Sequence, residues 1–211
     1  MTSPVFFDFD GVIVDSVTVK TDAFVALYED DGQEVMEAVR TYHLAHTGMS
    51  RYGKLRHFQR TLVGRADDDD TVEALAQQFG AIVKERVIAS AEISGAEDTL
   101  RALVAAGIPA HVASATPQRE LEEIIEARGL TPYFSGINGT PTSKREALET
   151  STAKGAKPRL MVGDAMADFR AAHDAGVPFL GVVPNGHQSP FPEGTEAIAD
   201  LKGLGERITR S

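Results

Sequence analysis

Apolar and polar positions along this chain follow two different periods. Val5, Phe6 and Phe7 form a short apolar run that reaches Asp8, and Gly11 breaks it soon after, which predicts a buried strand ending at acids. From about Thr18 to Ser90 the repeat is that of amphipathic helices. Phe24, Leu27 and Tyr28 share one face, as do Val35, Val39 and Tyr42, then Leu55, Phe58 and Leu62, then Leu75, Phe79, Ile82 and Val83. After Gly95 helical patterns and short apolar runs take turns. Helices are predicted over 96–106, from Thr116-Pro117 (Thr as cap, Pro in the first turn), from Lys144 and over 165–175. Strands are predicted at 110–114, 136–138, 159–162 and 177–182, with Ile198 and a last short helix in the tail. Such alternation predicts an α/β fold, a doubly wound parallel sheet covered on both faces. The core comprises 1–16 and 89–211, and 17–88 is an all-helical insertion.

Composition narrows the class. The chain has 211 residues, 42% hydrophobic and 25% charged, enough for a core carrying an insertion. Its formal net charge of -10 argues against nucleic acid or an anionic membrane as partner. With no cysteine, disulfides, thiolate metal sites and a cysteine nucleophile are excluded. The N-terminus enters a strand almost at once, with no basic and apolar leader, and no apolar run spans a bilayer, so a cytoplasmic protein is expected. Oligomeric state is left open. The acidic run Asp67 to Asp70 reads as an exposed turn whose last Asp caps a helix starting at Thr71, with Glu73 completing a capping box. It lacks the ligand spacing of a calcium loop.

Candidate chemistry lies at the predicted strand ends. Asp8 and Asp10 are two residues apart, so both side chains leave one face, about 6 to 7 Å apart along the chain. Asp164 follows another apolar run, with Asp168 one helical turn on, a spacing at which like charges repel unless neutralised. Four carboxylates at neighbouring strand ends call for a cation, and an oxygen-rich donor set suits magnesium. Ser114 ends a predicted strand, and the amides of Ala115 and Thr116 open the next helix, an arrangement that suits a phosphate. Ser143 and Glu146 form a capping box that places Lys144 at the first helical position. A cation there opposes the helix dipole and hints at an anion nearby.

Four motifs in order now carry a resemblance: Phe7-Asp8-Phe9-Asp10-Gly11-Val12 with Asp15-Ser16, Val112-Ala113-Ser114-Ala115-Thr116, Lys144, and Val162-Gly163-Asp164 with Asp168. Together they resemble the haloacid dehalogenase superfamily of phosphatases over nearly the whole chain. The helical insertion looks like the small cap of its phosphoglycolate phosphatase and β-phosphoglucomutase branch. The resemblance implies a Rossmann-like core and magnesium-dependent hydrolysis of a small phosphate monoester, such as a sugar phosphate. It makes Asp8 the nucleophile that forms an aspartyl-phosphate. Asp10 becomes general acid and base, and Ser114, Ala115 and Lys144 bind the phosphoryl oxygens. Asp8, Asp164 and the carbonyl of Asp10 would hold the metal, and Asp168 a metal-bound water. Gly48-Met49-Ser50-Arg51 resembles the segment with which β-phosphoglucomutases engage a sugar phosphate. Arg51 is thus the expected anion contact, with Lys54 and Arg56 behind it, while His43, His46 and His57 read as ordinary surface residues.

Two alternatives share parts of this pattern. A mutase of that branch has a histidine ten residues after the acid/base Asp, where Lys20 stands, and Glu-Asp where Gly163-Asp164 stands; both departures favour a phosphatase. Asp10 argues against dehalogenases and phosphonatases. A receiver-like, non-enzymatic phospho-acceptor would be shorter and lack the helical insertion.

Overall fold

The computed structural model describes residues 2–210. Its strands are β1 (Val5–Phe7), β2 (Ala110–Pro117), β3 (Gly136–Thr140), β4 (Leu160–Gly163), β5 (Phe179–Val182) and β6 (Ala197–Ile198). All pair in parallel, in the order β3-β2-β1-β4-β5-β6, so β1 is central although first in the chain. Phe7 pairs with both Val112 and Val162, which brings Asp8, Ser114 and Asp164 to the carboxyl edge of three adjacent strands.

Side-chain alternation divides the core. Val5, Phe7, Val112 and Val162 join Leu100 and Leu103 of α5 (Ala96–Ala105) in one cluster. Phe6, Ala113 and Met161 join Leu148 of α7 (Lys144–Ala153) and Ala172 of α8 (Met166–Asp174) in another. Helices α6 (Gln118–Ala127) and α9 (Leu204–Arg210) complete the cover.

The segment between β1 and β2 is helical, with α1 (Val17–Ala26), α2 (Gln33–Ala45), α3 (Arg51–His57) continuing into a π-helical turn, and α4 (Asp69–Ala89) ahead of α5. Its apolar faces meet around Phe24, whose ring stacks on Phe79 at 4.0 Å and meets Phe58 edge-on at 5.6 Å. Among the described residues no helix is long and apolar enough to cross a membrane.

Two expected boundaries move. Helix α4 begins at Asp69, because Asp68 accepts the Thr71 amide at 3.0 Å and the Thr71 hydroxyl at the same distance. Any acid in a run of four offers a cap, and tertiary geometry chose one two residues earlier than Asp70. Strand β2 runs on to Pro117, where it still pairs with Thr140 of β3 after a register shift, and α6 starts at Gln118. The amides of Ala115 and Thr116 therefore do not open a helix; that of Thr116 donates to Ser114 Oγ at 3.1 Å.

Candidate active site

The sheet edge gathers the acids. Asp8 leaves β1 with Oδ1 accepting the Phe9 amide at 2.7 Å and Oδ2 2.8 Å from Lys144 Nζ. Lys144 begins α7 behind its Ser143 cap and is ion-paired a second time, to Asp168. Asp168 in turn accepts the Ala165 amide at 3.0 Å and is fully buried. The cation placed against its helix dipole is thus held by two carboxylates from other elements. Gly163 makes room for this: a Cβ there would fall 2.3 Å from the Cβ of Asp168, so the Glu of a Glu-Asp pair could not stand here without moving α8.

Oxygens of Asp8, Asp164 and Asp168 lie within 4.8 Å of one another. One lysine cannot neutralise three carboxylates. Burial pushes the Asp8 carboxyl up to about 7, although Lys144 opposes it, and burial with the Asp8 and Asp168 charges pushes Asp164 well up too. An all-oxygen cluster short of positive charge fits a hard divalent cation such as magnesium. The Asp10 carboxylate is absent from this cluster. It accepts from Ser16 Oγ at 2.6 Å and is ion-paired with Lys20, whose ammonium also donates to Thr116 Oγ1 at 2.9 Å. Burial would raise Asp10, but Lys20 and the Ser16 hydroxyl more than offset it and hold the carboxyl below its usual range.

The inserted helices close over these groups. A Cβ on Gly48 would come within 2.4 Å of the Cβ of Ala167, so the turn before α3 rests on α8. Beneath lies a cavity of about 50 Å³, lined from the sheet by Asp8, Asp10, Ser114, Ala115, Lys144 and Asp164 and from above by Lys20, His43, Gly48, Arg51 and Lys54.

Arg51 reaches this cavity with its charge already engaged. Its guanidinium grips Glu120 of α6 through both nitrogens, Nη1 at 2.8 Å from Oε2, and lies 4.7 Å over the Phe79 ring. Arg56 points away, to Asp69 and the Asp67 carbonyl. His46 and His57 stack on either side of Tyr42, away from the cavity.

His43 corrects the surface reading. It is buried, with Nδ1 3.0 Å from Lys54 Nζ, and burial followed by the charges of Lys54 and Lys20 lowers it to about 3. Lys54 is 2% exposed, and burial, then Lys20, lowers it to about 7. The signal was present: His43 lies four residues after Val39 on the buried stripe of α2, and Lys54 four before Phe58. Glu120 and the Lys20–Asp10 pair had no comparable local signature.

The α/β fold with this acidic edge defines a class of phosphoryl-transfer enzyme, and relatives of the chain are of that class. The family of haloacid dehalogenase-like hydrolases matches residues 5–176, and the chain belongs to it. A phosphoglycolate phosphatase of Rhodospirillum rubrum is 31% identical over 191 residues, covering 85% of this chain and 79% of that one. A solved β-phosphoglucomutase from Clostridium difficile shares the fold with a TM-score of 0.78 at 17% identity, covering 100% of this chain and 96% of that one. CbbY from Rhodobacter sphaeroides, solved in complex with xylulose-(1,5)bisphosphate, gives a TM-score of 0.77 at 17% identity over 97% of each chain. The chain is accordingly an enzyme, a phosphatase of the haloacid dehalogenase-like family.

Proposed function

We propose that this enzyme hydrolyses a small phosphate monoester by way of an aspartyl-phosphate on Asp8, in a core of residues 1–16 and 89–211 capped by 17–88. The observation that carries the reading is the buried Asp8 carboxylate at the centre of the sheet edge, held by Lys144 and within 4.8 Å of two more carboxylates. An Asp8 oxygen attacks phosphorus as the ester P–O bond breaks, and the proton that a monoanionic ester brings in passes through Asp10, ionised at rest, to the departing alcohol. Ionised Asp10 then takes a proton from water, whose oxygen attacks the same phosphorus, freeing Asp8 and inorganic phosphate. Ser16 and Lys20 hold Asp10 in place, and Lys20 favours the ionised form that the second step uses.

Ser114, Ala115 and Lys144 line the cavity, and the Ser114 hydroxyl, the Ala115 amide and the Lys144 ammonium would hold phosphoryl oxygens. Asp8, Asp164 and the Asp10 carbonyl would hold magnesium, with Asp168 behind them, fixed by Lys144. Magnesium supplies charge neutralisation between the anionic nucleophile and an anionic phosphate. We assign Arg51, already paired with Glu120, to closure of the cap.

Phosphate release from a panel of monoesters, with magnesium and with excess chelator, tests the proposal. Turnover of small esters only with magnesium is expected, and Asp8→Asn should lower it by about four orders of magnitude or more. Full activity in chelator, or an Asp8→Asn enzyme within tenfold of wild type, contradicts it.

A further inference from the structure

A second cavity, of about 420 Å³, reaches the phosphoryl site between the turn from β3 to α7 and helix α8. It shares Ser114 and Lys144 with the first cavity, whereas Asp8, Asp10 and Asp164 line only the first. Ser114 and Lys144 are buried, while Thr142, Arg145 and Asp174 are exposed, so the cavity runs from solvent to the groups assigned to phosphoryl oxygens. Hydroxyls of Ser50, Thr140 and Ser143 line its wall. Asp174, its one carboxylate among the described residues, stands at the rim with Oδ2 3.8 Å from Arg145 Nη1. No step of the proposed reaction uses this space.

We propose that this second cavity is the exit for inorganic phosphate, so that the two products leave on different sides of the phosphoryl site. This rests on the phosphatase reading above. Hydrolysis leaves the phosphate anion between three carboxylates, which face the first cavity, and Ser114 and Lys144, which face both. Like charge pushes the anion away from Asp8, Asp10 and Asp164. Movement into the second cavity keeps the Lys144 ammonium and the Ser114 hydroxyl within reach at the start. It then exchanges them for neutral hydroxyls along the wall and the Arg145 guanidinium at the mouth. The alcohol stays on the other side, because Asp10, through which its proton passes, faces the first cavity alone. Thr142 and Asp174 stand at the mouth, on the two elements that form it, away from the bound phosphate.

The chain has no cysteine, so Thr142→Cys carries a single thiol at the exposed rim. Thiosulfonates attach a methyl or a bulky aromatic group there, and dithiothreitol removes it. With enzyme in excess over an ester active in the panel above, acid quench gives alcohol and total phosphate, and a fluorescent phosphate-binding protein gives free phosphate. With the bulky group in place, free phosphate should lag total phosphate by about tenfold or more, while alcohol forms within about twofold of the unmodified rate. The methyl adduct should show no lag, and reduction should abolish the lag of the bulky one. Free phosphate that keeps pace with total phosphate under the bulky adduct overturns the exit. Slower alcohol formation overturns it too, because the cavity then admits the ester. Should the Thr142 adduct unfold by circular dichroism, the same adducts on Asp174→Cys, across the mouth, decide by the same criteria. Prompt phosphate past a bulky adduct sinks the exit and leaves the phosphatase standing; no turnover of any ester with magnesium sinks both.

Discussion

Lys144 is the residue whose environment is most demanding, because it is buried between Asp8 and Asp168 and its ammonium is held strongly protonated by both. Removing it leaves two carboxylates beside Asp164 with no protein counter-charge. Lys144→Ala should therefore cost stability as well as turnover, about 3 to 5 kcal/mol by urea unfolding without metal. Wild-type stability in that variant would mean that the three acids do not depend on the lysine. Asp8, Asp164 and Lys144 were legible in the sequence because two end apolar runs and the third sits in a capping box, and Asp168 because it lies one helical turn after Asp164. Glu120 was not legible: it meets Arg51 across 69 residues of sequence, and no local pattern encodes such a pairing. His43 lay on a readable stripe, but its polar character masked the periodicity that buried it.

At the scale of elements, the insertion is fastened to the core through α6. The bidentate Arg51–Glu120 pair is nearly buried, whereas the parallel Lys84–Glu123 pair is about one-third exposed. A double-mutant cycle on Arg51→Ala and Glu120→Ala should give a coupling of about 1 to 3 kcal/mol, and one on Lys84→Ala and Glu123→Ala under about 0.5. Equal couplings would remove the distinction between latch and surface contact. The start of α4 and the end of β2 also mark where sequence reading stops. Helix and strand identities follow from period, but the start of α4 was chosen among four adjacent acids and the end of β2 by its pairing with β3. Amide positions at a phosphate site depend on such choices, so Ser114 was readable and the setting of its neighbours was not.

For the whole molecule, the parallel order with β1 at the centre follows from alternating helices and strands, and it brings residues far apart in sequence to one edge. The insertion then covers that edge with a cavity whose upper wall supplies basic groups and whose floor supplies acids. On the proposed function, this division gives the chemistry to the sheet and the choice of substrate to the helices. All of it depends on Asp8 becoming covalently phosphorylated. The direct measurement is to quench the magnesium-supported reaction in acid at steady state, reduce acyl-phosphate with borodeuteride and map the label by peptide mass spectrometry. Label at Asp8, absent without substrate, is the predicted result; steady turnover with no label, or with label on a different residue, contradicts the account.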